Sequence, residues 1–371
     1  MIRVTTNGTL YNYKSNFNQT ANQLNSAMMK LMSGRNFDTY AANPAGATRA
    51  FQIHSSINAT NAQYDNNQTV LSKFETAWSS IQGILDGFDG LTTTGGQVPI
   101  LGGINDTNLT ALNSQGQILR ESAEGIIQSL NAKYGDDYIF AGADSQNPPF
   151  GVDEEVDANG ILRHYVTYRG VRIDDPNTLG LLHPDQAAYP GMTNQQVLEK
   201  WNEEHQYVDI GLGFELDGNG EVIPSTAFDS AISGIGLIGF GVDDDDDDPL
   251  NVVSVMFRMS EIFENYDEEN TEWNPNAGTR EDAERLLDKF NAARQAMSDQ
   301  WVELDTQAKF LNNNQTQLEG TFDALNVELT SLEDVDTADA ILELSWAQVC
   351  YNAALQVGAN VIPQSLMDYL Q

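Results

Sequence analysis

The chain has 371 residues, 40% of them hydrophobic, so it can bury a sizeable core and divide it among two or three domains. Its formal net charge of −36 excludes nucleic acid and anionic membrane as partners, because both need clustered Lys and Arg and no such cluster occurs. The lone cysteine, Cys350, has no partner for an internal disulfide and lies in an apolar stretch, which predicts a buried, inert thiol.

The opening "MIRVTTNGTLYNYKSNFNQTANQLNSAMMKLMSG" has neither an apolar segment of signal-peptide length nor a small-residue cleavage site. No apolar run is long enough for a membrane span. A cytoplasmic protein has this pattern, and so does one exported without a cleaved signal. Within it, Leu10, Phe17, Leu24 and Leu31 recur every seven residues and Tyr13, Ala21 and Met28 fill the same face, predicting a long amphipathic helix with a coiled-coil-like seam that Gly34 ends. A second helix is predicted from about Ala45 to Leu85, with Phe51, Ile57, Tyr64, Leu71 and Trp78 on its apolar face, and a third from Leu109 to Lys133.

The middle of the chain changes character. "DANGILRHYVTYRGVRID" alternates apolar and polar residues around Gly160, and "GFELDGNGEVIP" does so around Gly218-Asn219-Gly220, so two β-hairpins are predicted. After the six aspartates Asp243 to Asp248 the pattern returns to helix beyond Pro249, and the aspartates read as a solvated loop at the helix N-terminus. Thr279 opens a long helix carrying Leu286, Phe290, Met297, Trp301, Leu304, Leu311 and Leu318, and Asp336 or Thr337 caps a last one.

That last helix is apolar on two faces. Leu342, Trp346, Val349, Ala353 and Val357 form one stripe, and Leu344, Tyr351, Leu355, Ile362 and Leu366 form another. A helix so apolar must be covered on more than one side. Asn352, Gln356, Asn360 and Pro363 argue against a membrane, leaving the N-terminal helix and neighbouring subunits as covers.

Charge separates the regions. Residues 1 to 140 hold 8 Lys/Arg against 10 Asp/Glu, residues 141 to 276 hold 5 against 28, and residues 277 to 371 hold 5 against 16. The middle, at net −23, must stay solvated, whereas the nearly neutral N-terminal arm has little repulsion to prevent self-packing.

Chemistry finds no foothold. Consecutive aspartates do not converge on one ion, Asp217, Asn219 and Glu221 match only the start of a calcium loop, and His54, His164, His183 and His205 lack metal-ligand spacing. No phosphate loop, zinc helix or nucleophile elbow is present. The sequence therefore gives no positive sign of an enzyme, and no catalytic, metal or cofactor site is assigned.

The ends carry a likeness. "LEDVDTADAILELSWAQVCYNAALQVGANVIPQSLMDYL", Leu332 to Leu370, resembles the C-terminal segment of the bacterial flagellin superfamily, and "LMSGRNFDTYAANPAGATRAFQI", Leu31 to Ile53, is similar to its N-terminal segment. Where relatives usually carry two acids before the turn, this chain has Ala42 and Asn43. "NAKYGDDYIFAGADSQNPPF", Asn131 to Phe150, and the opening "MIRVTTNGTLYNY" resemble hook-filament junction members more than flagellin itself.

The resemblance implies a mainly α fold with a β-containing insert, its long antiparallel helical bundle and coiled coil built from both termini around an α+β middle domain. Residues 1–40 with 333–371 would form a terminal inner-tube coiled coil, 41–140 with 277–332 a helical bundle, and 141–276 an acidic, β-rich surface domain. Leu10, Phe17, Leu24, Leu31, Leu342, Trp346, Val349, Leu355, Ile362, Leu366 and Leu370 would carry assembly. The implied partners are another hook-associated protein, flagellin and copies of this chain, with an export chaperone beforehand. The implied location is the extracellular flagellum, reached by the flagellar type III apparatus. Flagellin itself is the alternative, and a surface-exposed glycan- or ion-binding protein is the alternative of another class.

Overall fold

Helix ends fall where short polar side chains or glycine meet unpaired backbone groups. The computed structural model describes residues 6–37, 39, 41–92, 111–175, 177 and 187–361. Among these are eight α-helices: α1 (Thr6–Ser33), α2 (Pro44–Thr92), α3 (Leu112–Leu130), α4 (Asn194–Asn202), α5 (Gly234–Ile238), α6 (Val252–Glu264), α7 (Arg280–Glu333) and α8 (Thr337–Val361). The strands are β1 (Lys133–Tyr134), β2 (Asp137–Tyr138), β3 (Phe150–Val156), β4 (Leu162–Tyr168), β5 (Val171–Arg172), β6 (Tyr207–Val208) and β7 (Phe228–Asp229). The protein is mainly α with a β-containing insert, as its sequence implies.

The caps follow the sequence signals. Gly34 ends α1 at φ +70° with its N–H on Lys30 O, a left-handed conformation in which a side chain would be strained. At α2, Pro44 occupies the first turn and Asn43 Oδ1 accepts from Gly46 N at 3.0 Å. Thr279 and Asp282 cap α7 reciprocally: Thr279 N donates to Asp282 Oδ2 at 2.8 Å, and Asp282 N to Thr279 Oγ1 at 3.3 Å. Asp336 Oδ1 accepts from Ala338 N at 2.8 Å at the start of α8.

Contacts divide the chain into two compact units, residues 1–62 with 317–371 and residues 63–316, and the boundaries fall within α2 and α7. In the second unit, α2 and α7 run antiparallel. Trp78 stacks on Trp301 at 5.2 Å between ring centroids, and Phe88 meets Phe290 edge-on at 5.3 Å. The predicted α7 seam holds: Leu286, Phe290, Met297, Leu304 and Leu311 are buried. On α2 the seam runs through Ile53, Ile57, Asn67, Leu71, Phe74, Ile81 and Phe88 in steps of three and four residues and their sums. Phe51, expected on that face, is 75% exposed. It lies two residues from Ile53, about 200° around the helix, on the opposite side.

Midway along this pair sit two buried asparagines. Asn67 Nδ2 donates to Leu311 O at 2.9 Å, while Asn314 Nδ2 reaches Asn67 Oδ1 at 3.1 Å and Ile210 O at 2.8 Å. Buried amides are tolerated because these bonds satisfy them.

The insert is built on α6, whose residues from Val252 to Phe263 are almost all buried. It packs against α3 at Gly116, where a Cβ would come within 2.9 Å of Glu264 N and Ser260 O, so only glycine allows this crossing. β3, β4 and β5 form an antiparallel sheet in that order, with Phe150 opposite Tyr168 and Val156 opposite Leu162. The hairpin expected around Gly160 is present. That around Asn219 is reduced to a turn closed by the single bridge Leu216–Val222. Both turns use one device: Asp157 Oδ1 accepts from Asn159 N and Ile161 N at 2.8 and 3.0 Å, and Asp217 Oδ1 from Asn219 N and Glu221 N at 2.8 and 2.9 Å. These backbone donors hold both carboxyls below the usual carboxylate range. They also account for "DGNGE" without an ion. The third helix starts at Leu112, three residues after its predicted start at Leu109, which lies outside the described residues.

Beside α6, Asp174 Oδ1 is shut off from solvent without a hydrogen-bond partner, and burial pushes its carboxyl up to about 6 despite the opposing influence of the nearby Ser254 hydroxyl and the Arg258 charge. The native state therefore holds this proton more tightly than the unfolded chain, and stability falls as pH rises from about 4 to about 6. Asp174→Asn is expected to stabilise the protein by about 3 kcal/mol at pH 7 and by nearly nothing near pH 4. Urea unfolding at the two pH values measures this, and an equal effect at both would refute it.

Candidate assembly interface

The two ends of the chain pair as antiparallel helices within the first unit. Tyr13 Oη donates to Ala354 O at 3.1 Å, the Phe17 and Tyr351 rings lie 5.4 Å apart, and Lys30 Nζ meets Glu343 Oε2 at 3.1 Å. Where the helices leave one another the backbone joins them: Val335 N donates to Gly34 O at 3.0 Å, and Asn36 N to Glu333 O at 2.7 Å. Exposed ion pairs such as Lys30–Glu343 contribute little, so packing holds the pair.

The packing line differs in part from the large apolar residues that mark it in the sequence. Ala27 on α1 and Ala340 on α8 are 1% exposed, Ala347 is 9% exposed, and Gly358 is buried. A Cβ on Gly358 would lie 2.0 Å from Tyr13 Oη. Phe17, Leu24 and Leu31 are half-buried beside these small residues, as are Leu344 and Tyr351. Small residues bring the helices close, and the larger ones flank them. The signal was legible as alanines at seven-residue spacing, Ala340, Ala347 and Ala354, but small residues add little to an apolar pattern.

The stripe of Leu342, Trp346, Val349, Ala353 and Val357 on α8 has no cover among the described residues. Trp346 is 70% exposed and Val349 59%, with Leu342 and Val357 also exposed, and Leu355 of the other stripe is exposed beside Tyr351. On α1, Leu10, Tyr11, Met28, Met29 and Met32 are exposed. Ile362, Leu366 and Leu370 lie outside the described residues. Cys350, expected to be buried, is exposed, because it falls on the side of α8 turned from α1. Apolar surface concentrated along one helix is characteristic of an interaction face.

The residues weighed for ion chemistry serve the fold. The six aspartates are not a solvated capping loop: Asp248 is 6% exposed, and Asn251 caps α6 by accepting from Ser254 N at 2.7 Å. Arg285 Nε on α7 lies 2.7 Å from Asp248 and 3.2 Å from Asp246, while Lys289 Nζ pairs with Asp243 at 3.2 Å and also with Asp246. Two cations one turn apart on α7 draw three aspartates together, which spacing in sequence did not reveal. The backbone N–H of Asp245 and then Lys289 hold Asp243 below the usual carboxylate range, and Lys289 does the same for Asp246. Buried His164 stacks on Phe257 and faces Glu261, His54 meets Glu333 at 3.0 Å, and His205 meets Asp229 at 2.6 Å. His183 lies outside the described residues. Among the described residues no group of His, Cys, Asp and Glu can hold a metal ion, and no helix is long and apolar enough to cross a membrane.

The fold and this pair define a mainly α protein whose two ends close on one another, with an acidic insert between them. Residues 287–370, which include the second half of that pair, match the family model of the bacterial flagellin C-terminal helical region. Its closing helices are thus flagellin-like. Two solved structures are similar to this chain at low identity. One is Bacillus cereus FlgL, 15% identical with a TM-score of 0.41 over 75% of this chain and 99% of that one. The other is a Vibrio parahaemolyticus protein assigned as a flagellar hook-associated protein, 11% identical with a TM-score of 0.45 over 79% of this chain and 100% of that one. A comparison with curated protein sequences finds no match.

Proposed function

We propose that this protein is a structural subunit of the bacterial flagellum, seated at the hook-filament junction and joined to its neighbours through α1 and α8. The observation that carries this reading is the uncovered stripe of Leu342, Trp346, Val349 and Val357 on α8, which lies within a flagellin-type C-terminal region. Together with Leu10, Phe17, Leu24, Leu31, Leu355, Ile362, Leu366 and Leu370, this stripe forms the assembly surface. Its neighbours are another hook-associated protein on one side and flagellin on the other, with copies of the chain alongside. The role is architectural and non-enzymatic. Residues 1–40 with 333–371 make the inner layer, 41–140 with 277–332 the helical bundle, and the acidic insert of 141–276 the solvent-facing surface. Before assembly the apolar ends are held by a chaperone, and export follows the flagellar type III route without cleavage.

Flagellin is the second reading, favoured by the family match itself, which describes flagellin. The two differ in whether copies add end to end without limit. A junction subunit is expected not to elongate filament seeds into long filaments at high salt and high protein concentration. Electron microscopy decides: filaments that lengthen in proportion to added protein would replace the junction reading with flagellin.

A further inference from the structure

A cavity of about 250 Å³ lies among α2, the β1–β2 hairpin and the β6–β7 pair. Half-buried Lys73 lines it from α2. Its Nζ donates to Ser230 O at 2.8 Å and, among the described residues, joins no ion pair. An ammonium has three donors, so two remain. Burial lowers this amine's pKa below the ordinary lysine value, against the opposing pull of Asp137 and Asp229.

Asp137 lines the same cavity. Its hydrogen bonds from Ser145 Oγ at 2.8 Å and Gln146 Nε2 at 3.1 Å both fall on Oδ1, leaving Oδ2 open among the described residues. Val70 and Val208 add an apolar wall, and Gln206 a further polar edge. The cavity thus presents one cation, one anion and a small apolar surface, each supplied by a different part of the chain.

The surrounding charge selects among ligands. A simple anion satisfies Lys73 but must approach a chain of net charge −36. A simple cation meets the Lys73 ammonium, and a neutral molecule offers neither the remaining Lys73 donors nor Asp137 Oδ2 a charged partner. A ligand that carries both charged groups on one carbon avoids all three difficulties. We propose that this cavity binds a free α-amino acid with a small apolar side chain, its carboxylate on Lys73, its ammonium on Asp137 and its side chain against Val70 and Val208. This site is independent of the flagellar reading.

Isothermal titration of the full chain at pH 7 with L-valine tests it, with isovalerate and isobutylamine as ligands lacking one charge each. Saturable binding of L-valine is expected, with both analogues at least about tenfold weaker. Lys73→Met and Asp137→Asn are each expected to weaken L-valine by about tenfold or more. Asp137 is on an exposed hairpin, so its variant reports on the site even if the α2 substitution disturbs folding. No saturable binding of L-valine up to about 20 mM, or equal affinity for isovalerate or for the Asp137→Asn variant, would overturn the assignment.

Discussion

Glu261→Ala is expected to cost about 3 kcal/mol. Glu261 is 4% exposed on α6. Its Oε2 accepts from Arg163 Nη1 at 2.8 Å and its Oε1 from the His164 backbone N–H at 2.8 Å, with Arg258 at 3.8 Å. Removing the carboxylate leaves the Arg163 charge with Asp157 at 3.2 Å as its remaining ionic partner and orphans a buried backbone N–H. Glu261→Gln retains an acceptor for that N–H and is expected to cost roughly half as much. Urea denaturation followed by far-ultraviolet circular dichroism measures both. An alanine variant within about 1 kcal/mol of the parent would mean that the cluster relaxes or hydrates when broken.

Aspartate at both Trp346 and Val349 is expected to separate folding from assembly. Their exposures of 70% and 59% mean that little native packing is lost, so unfolding should shift by about 0.5 kcal/mol or less. If the stripe is an interface, two charges buried there without partners should cut incorporation into flagella by at least about a hundredfold. Quantifying tagged protein in sheared flagella provides the measurement. Normal incorporation would remove α8 from the interface, whereas a large loss of monomer stability would show that the stripe is covered within the chain.

The long helices were legible because their apolar residues repeat with the period of the helix and their ends carry Gly34, Thr279 and Asp336. Phe51 is large and apolar but departs from the helical period of its neighbours, and its angle around the helix places it in solvent. Cys350 misled for a related reason. Apolar neighbours in sequence do not share a face on a helix, and α1 covers only one side of α8. The aspartate run could not be interpreted locally, since the partners that organise it, Arg285 and Lys289, lie 37 and 41 residues beyond Asp248. The apolar faces of α8 were legible as two stripes on one helix. Which stripe meets α1 was decided by the small residues Ala340, Ala347 and Gly358, whose contribution is closeness of approach and not apolar area.

A helix pair with a regular apolar seam has a translational ambiguity: sliding one strand of the pair by seven residues restores nearly the same contacts. Asn67 and Asn314 break it. In any shifted alignment their amides would face aliphatic side chains, and the Ile210 carbonyl that Asn314 satisfies would lose its donor. The pair therefore has a single origin, like the zero mark on a ruler, fixed near the middle of α2 and α7. In a polymer, a one-heptad error of about 10 Å in each subunit would be inherited by every copy stacked above it. Two amides thus set a length standard that hydrophobic periodicity cannot provide.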